Sequence, residues 1–273
     1  MDREVNDLPR HLFDLRGKIA LVNGGSRGIG EASARALAAH GATVIVTSRV
    51  QAACEAVAER IRAAGGNSQG RACHAGSLDQ LEALFTDIER EYGRLDVLMN
   101  NAATTAYYGP ILDTDVAAFN KVMETNVRGY FYACVHGARL MAKGGGGSII
   151  NTASVFGLRP GGGDKAAIYS ISKFAIISLT QTFANECASS GVRVNALLPG
   201  LTYTKLAGAL LDNEKTRESL LSRIPMGRVA QPGDGRRCGL PRIPGLELRH
   251  RQPDDCRWRL HHQLNGPQIG QTR

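Results

Sequence analysis

The chain has 273 residues, 43% of them apolar, and carries 33 Lys and Arg against 25 Asp and Glu, a net charge of +8. That is enough for one large domain or two small ones with a buried core. No apolar run reaches the ~18 residues of a membrane span, and Met1–Arg16 alternates charged with apolar residues, unlike a secretory leader.

In chain order, Lys18–Asn23 reads as a buried strand, Gly24–Gly30 as a glycine turn, and Glu31–His40 as an Ala-rich helix. Thr43–Ser48 is a second strand, Gln51–Ala64 a helix, and Gly70–His74 a weak third strand. Leu78–Tyr92 places Leu81, Leu84, Phe85 and Ile88 on one helix face. Leu95–Met99, Gly147–Thr152 and Val192–Leu197 are three further strands, separated by two long helices over Asp115–Ala142 and Ala166–Ser190. Strands alternating with helices of this length imply an α/β fold: a Rossmann-like, doubly wound parallel sheet covered on both faces.

The first turn, Asn23-Gly24-Gly25-Ser26-Arg27-Gly28-Ile29-Gly30, follows a strand and opens a helix. Glycines there admit a pyrophosphate close to the backbone, and the helix N-terminus offers amide donors and a positive dipole. An ordinary glycine-rich turn is the alternative. An acidic residue after the second strand would accept the ribose hydroxyls of NAD; here stand Ser48 and Arg49, with Arg27 as a second cation. Two guanidiniums suit a 2′-phosphate, so NADP(H) is preferred and NAD(H) remains open.

Tyr169 and Lys173 stand at i, i+4 and share one helix face. An ammonium beside a phenol favours the phenolate, which makes a general acid–base for a carbonyl oxygen. The strand before them ends Asn151-Thr152-Ala153-Ser154, and the Ser154 hydroxyl can polarise the same oxygen.

With these residues the sequence resembles the short-chain dehydrogenase/reductases from about Asp14 to Pro232. The glycine turn matches at Gly24, Gly28 and Gly30, and Asn100-Asn101-Ala102-Ala103 is similar to the family's NNAG stretch. Asn126 falls where the family has an Asn that kinks a helix and holds a proton-relay water. Ser154, Tyr169 and Lys173 match the catalytic serine, tyrosine and lysine. Pro199-Gly200, with Thr202 and Thr204, is similar to the segment that contacts the nicotinamide and its phosphates. The resemblance implies hydride transfer between NADP(H) and a carbonyl or secondary alcohol. Tyr169 would be the acid–base, Ser154 would hold the oxygen, and Lys173 would bind the ribose and depress the Tyr169 pKa. Asn126 would link Lys173 to solvent through water. It also implies a homo-oligomer. A dinucleotide-binding protein without catalysis, or an inactive product of a frameshifted reductase gene, is the alternative.

Three positions depart from the family pattern. Asn23 stands for the usual Thr, Ala103 for the Gly of NNAG, and Cys73-His74-Ala75-Gly76 lies where an Asp-hydrophobic pair meets adenine. Leu158–Asp164 and Thr204–Arg223 are expected to flank a substrate pocket without naming the substrate.

Composition breaks at Pro232/Gly233. Gly233–Arg273 holds eight Arg, no Lys, three Asp and one Glu, so half of the net charge falls in the last 41 residues. That tail lacks Ala, Val, Ser, Phe, Tyr and Met. Reading its codons from their second base permits Y-V-T-G-N-L over Leu248–Pro253 and M-I-V-D-G-G over Asp254–Arg259. These are the last-strand motifs the family would have. A one-base insertion or two-base deletion near Pro232 is therefore expected, leaving an N-terminal extension (1–13), a catalytic domain (14–232) and an aberrant tail (233–273) whose sheet lacks its last strand. Cys238, His250, Cys256, His261 and His262 fit no common zinc spacing. Apart from Trp258, the tail's arginines lack the interleaved aromatics of a nucleic-acid binder. No metal, nucleic-acid or membrane partner is expected. The scattered cysteines, without a CxxC, suit a reducing compartment, the cytoplasm.

Overall fold

The computed structural model describes residues 14–159, 166–212, 214–222 and 224–234. The short apolar runs form β1 (Ile19–Asn23), β2 (Thr43–Ser48), β3 (Asn67–Ala72), β4 (Val97–Asn100), β5 (Gly147–Thr152) and β6 (Val192–Leu197). They make one six-stranded sheet in the order β3-β2-β1-β4-β5-β6, every pair parallel. The order reverses beside β1, so the chain leaves one half of the sheet before it builds the other.

The helices are α1 (Gly28–Ala39), α2 (Gln51–Ala63), α3 (Leu78–Tyr92), α4 (Val116–Met123), α5 (Gly129–Lys143), α6 (Val155–Leu158), α7 (Ala167–Cys187), α8 (Gly208–Leu211) and α9 (Glu214–Leu221). They cover the sheet as the alternation of side chains along a strand requires. Ile19, Leu21, Ile45, Leu98 and Ile149 point to a core shared with Leu81, Leu84, Phe85 and Ile88 of α3 and with Ala133 and Met141 of α5. Their neighbours Ala20, Val22, Val44, Val46, Val97 and Met99 point the other way, onto Ala34 and Leu37 of α1 and Cys54, Val57 and Ile61 of α2. α3 is held at its start by the Ser77 cap, which accepts from the Gln80 amide, and at its end by Gly93 at φ 65°.

The ends of β1, α2, β4 and α7 shift by one to three residues from the sequence reading, and three elements differ in kind or placement. α1 begins at Gly28 rather than Glu31, so the end of the glycine turn is itself the first helical turn; the first helical bond runs from the Glu31 amide to the Arg27 carbonyl. β3 lies three residues before its expected start. Its segment, Asn-Ser-Gln-Gly-Arg-Ala, has no apolar run, and it is fixed from outside by the β2 register and by α2. A Cβ on Gly70 would stand 2.5 Å from the Cys54 carbonyl carbon and the Glu55 amide. The long helix expected over Asp115–Ala142 is two helices joined by a π turn, Glu124–Arg128. Among the described residues no strand follows β6; the shifted-frame segment and most of the 158–164 loop lie outside them.

Candidate active site

The C-terminal ends of the strands are in register: Asn23 of β1 lies beside Thr47 of β2 and Asn100 of β4, and Asn100 lies beside Asn151 of β5. A cavity of about 600 Å³ opens above them. Every residue expected to bind the dinucleotide or to act on the substrate lines it, except Gly30 and Asn126.

On the glycine-turn side the fit is steric. Gly24 has φ 78°, and a Cβ there would stand 2.5 Å from the Ala102 amide. A Cβ on Gly30 would run into the Gly24 carbonyl and stand 2.7 Å from Asn101 Nδ2, which itself donates to the Gly24 carbonyl at 2.9 Å. Gly30 thus shapes the floor from behind without facing the cavity. Asn23, in place of the family's Thr, is buried and accepts from Thr47 Oγ1 at 2.9 Å, so the substitution keeps a local hydrogen bond. Ser26, Arg27, Gly28 and Ile29 border this end together with Ser48 and Arg49. A helix start without side-chain Cβ obstruction, flanked by two guanidiniums, suits a nicotinamide dinucleotide. His74 also borders the cavity; its Nδ1 accepts from the Gly76 amide at 3.0 Å.

The opposite wall is polar and buried. Ser154 caps α6, its Oγ accepting from the Phe156 amide at 3.2 Å, and it lines the cavity beside Tyr169. Tyr169 and Lys173 project from one face of α7, with Lys173 Nζ 5.4 Å from the centre of the Tyr169 ring. Lys173 is 1% exposed and donates to the Thr152 carbonyl at 2.7 Å. The expected depression of the Tyr169 pKa is not what these residues produce. Burial disfavours the phenolate and pushes Tyr169 up to about 12, against the opposing pull of the nearby Ser154 hydroxyl. Burial likewise lowers Lys173 to about 7.

Asn126 is fully buried inside the π turn, which supplies the expected kink. Its direct hydrogen bonds go to Thr104 and Ser172. Oδ1 accepts from the Thr104 amide at 2.9 Å, and Nδ2 donates to the Thr104 carbonyl and to Ser172 Oγ, both at 3.0 Å. It pins the segment after β4 that borders the cavity. On the far side, Pro199, Gly200, Thr202 and Thr204 border the cavity; Thr202 pairs with Ala230 in an isolated parallel bridge.

Tyr108 was not singled out by the sequence. Its hydroxyl donates to the Leu206 carbonyl at 3.3 Å, joining the segment after β4 to the segment after β6, and its proximity helps to raise the Tyr169 pKa. The tyrosine pair Tyr107-Tyr108 in an otherwise plain connection was the one available signal.

A sheet that reverses at its glycine-floored cavity, with a serine, a tyrosine and a lysine on the facing wall, defines a dinucleotide-dependent oxidoreductase. A family profile described as enoyl-(acyl carrier protein) reductase matches residues 24–238. The chain is 36% identical to the 3-oxoacyl-[acyl-carrier-protein] reductase of Vibrio cholerae over 81% of this chain and 87% of that one. It is 32% identical to dehydrogenase/reductase SDR family member 4 of Oryctolagus cuniculus, covering 80% and 83%. A gluconate 5-dehydrogenase from Burkholderia cenocepacia, solved with NADP and tartrate, superposes with a TM-score of 0.78 at 30% identity, covering 85% and 89%. The protein belongs to the short-chain dehydrogenase/reductase family and is an NAD(P)-dependent oxidoreductase. No helix among the described residues is long and apolar enough to cross a membrane.

Proposed function

We propose that residues 14–232 form a reductase domain that interconverts a carbonyl compound and a secondary alcohol with NADP(H), Tyr169 being the acid–base. The observation that carries this reading is that Ser154, Tyr169 and Lys173 line the same cavity that the glycine turn floors. The dinucleotide, when bound, supplies or takes up the hydride at the substrate carbon. In reduction, Ser154 and Tyr169 hold the carbonyl oxygen and the Tyr169 hydroxyl gives it a proton, which solvent later restores. A phenol held near 12 is protonated at neutral pH, as the reductive direction needs. Lys173 stands behind the phenol, where its charged form stabilises the phenolate left after proton transfer. Gly24, Ser26, Gly28, Ile29 and Gly30 would hold the pyrophosphate end, and Arg27, Ser48 and Arg49 the ribose and its 2′-phosphate. Asn101 positions the Gly24 carbonyl, Asn126 positions Thr104, and Pro199, Gly200, Thr202 and Thr204 would hold the nicotinamide end.

NADPH supports this reading as the preferred cofactor through the two guanidiniums and the absence of an acidic residue after β2. The named relatives favour keto-sugar acids or 3-oxoacyl thioesters as substrates. The test is NADPH consumption against ketones, 3-oxoacyl thioesters and keto-sugars, by the natural chain and by one with the reading frame restored after Pro232. Consumption that persists undiminished in Tyr169→Phe overturns the mechanism. Activity of the restored chain alone assigns its loss to the tail, and sedimentation of the two chains tests the homo-oligomer expected of the intact fold. Resequencing the gene around Pro232 tests the frameshift itself.

A further inference from the structure

Lys173 is a buried ammonium without an acidic counterpart. Among the described residues no carboxylate is paired with it, and burial alone accounts for its lowered pKa. The groups that face it are few. On α7 it meets the Tyr169 ring, at β5 it donates to the Thr152 carbonyl, and on α5 it faces Tyr130. Lys173 Nζ stands 5.5 Å from the centre of the Tyr130 ring and 5.4 Å from that of Tyr169, so it is held between two phenol rings. Tyr130 is 1% exposed, and its hydroxyl is 3.4 Å from the Thr152 carbonyl, the acceptor that Lys173 also uses. Its own titration lies well above the ordinary tyrosine value, because burial, with Tyr169 and Cys134 nearby, disfavours its anion. Tyr130 therefore faces Lys173 as a neutral ring, whose face attracts a cation within about 6 Å of its centre, more strongly when water is excluded.

We propose that Tyr130 is a positioning residue for the reaction: its ring face holds Lys173 in the charged form behind Tyr169, in place of the carboxylate that a buried ammonium otherwise needs. The connection to catalysis rests on the proposed role of Lys173; the attraction itself does not. Asn126 and Ser172, on the neighbouring turns, are neutral and engaged with each other, so they supply no competing charge.

The direct test is the titration of Lys173 in the full-length protein, read by NMR of 13Cε-labelled lysine and assigned with Lys173→Met. Tyr130→Phe keeps the ring and should leave the lysine pKa in place. Tyr130→Leu removes the ring and should lower it by about one unit, a tenfold shift in the protonation equilibrium. Because a leucine at a fully buried site can unfold the protein, a series of singly to multiply fluorinated phenylalanines at position 130 keeps the shape while draining the ring face. A stepwise fall in the Lys173 pKa with fluorination supports the proposal; a flat series overturns it. The pH dependence of kcat/KM for reduction separates the two readings. A wild-type protein with no reductase activity, but a lysine pKa that follows the series, defeats the catalytic reading and leaves the ring–ammonium pairing standing.

Discussion

Around the ends of β1 and β2 the site is made of absences. Gly24 and Gly30 leave out side chains that would collide with the Ala102 amide and the Gly24 carbonyl; the buried polar pair there is Asn23–Thr47, while Ser26, Arg27, Ser48 and Arg49 border the opening. Around the ends of β4 and β5 it is made of buried polar side chains in series. Asn100 Nδ2 donates to Asn151 Oδ1 at 2.9 Å, and Asn151 Nδ2 donates to Thr180 Oγ1 at 3.1 Å. Lys173 and Ser154 complete that wall. The first half fails when something is added, the second when something is taken away. That contrast fits the two tasks proposed for the site: a charged, backbone-bound ligand needs close approach, whereas proton transfer needs groups fixed in a dry interior.

The largest expected effect breaks the second half. Tyr169→Phe should reduce turnover by about 10²-fold or more while dinucleotide affinity, measured by fluorescence titration, stays near wild type. In the first half, Gly30→Ala should cost about 1–3 kcal/mol of overpacking strain. It should weaken dinucleotide binding more than it changes turnover at saturation, which equilibrium binding and steady-state rates together check. Asn151→Ala should lower stability by about 1–3 kcal/mol, since it leaves Asn100 Nδ2 without its oxygen partner in a place where Asn100 Oδ1 already has none. Urea denaturation measures that loss, and a comparable loss from Asn23→Ala would blur the contrast between the halves. Smallest, Arg49→Asp at an exposed strand end should lower the NADPH/NADH preference by roughly tenfold, read as the ratio of kcat/KM for the two cofactors.

The parts of the molecule that a sequence displays are those its own residues determine. α3, β5 and β6 begin and end where the apolar period begins and ends, and the structure places them at the same residues. β3 is hidden because its partners fix it: strand register and the close pass of α2 over Gly70 hold a polar segment at the edge of the sheet. The π turn is hidden because one added residue hardly disturbs an apolar period. Among site residues, the glycine turn, Ser154, Tyr169 and Lys173 are readable as spacings. The ionisation of Tyr169 and Lys173 is not, since an i, i+4 spacing reports adjacency on a helix and says nothing about the depth at which that face is buried. Tyr108 and Tyr130 belong to no spacing pattern; each matters only through what the fold brings opposite it.

The π turn between α4 and α5 has a bearing on which length changes this protein can absorb. Each helical residue turns the chain by about 100°, so removing a single residue anywhere in Glu124–Arg128 would let the backbone relax into an unbroken helix and rotate one of its flanks relative to the other. Asn126 would swing away from Thr104 and Ser172, and the loop beside the cavity would lose its tether while every hydrophobic residue kept its identity. Alignments that score only residue type would count such a deletion as mild. In this segment the residue count itself is under constraint, much as a reading frame is in a gene.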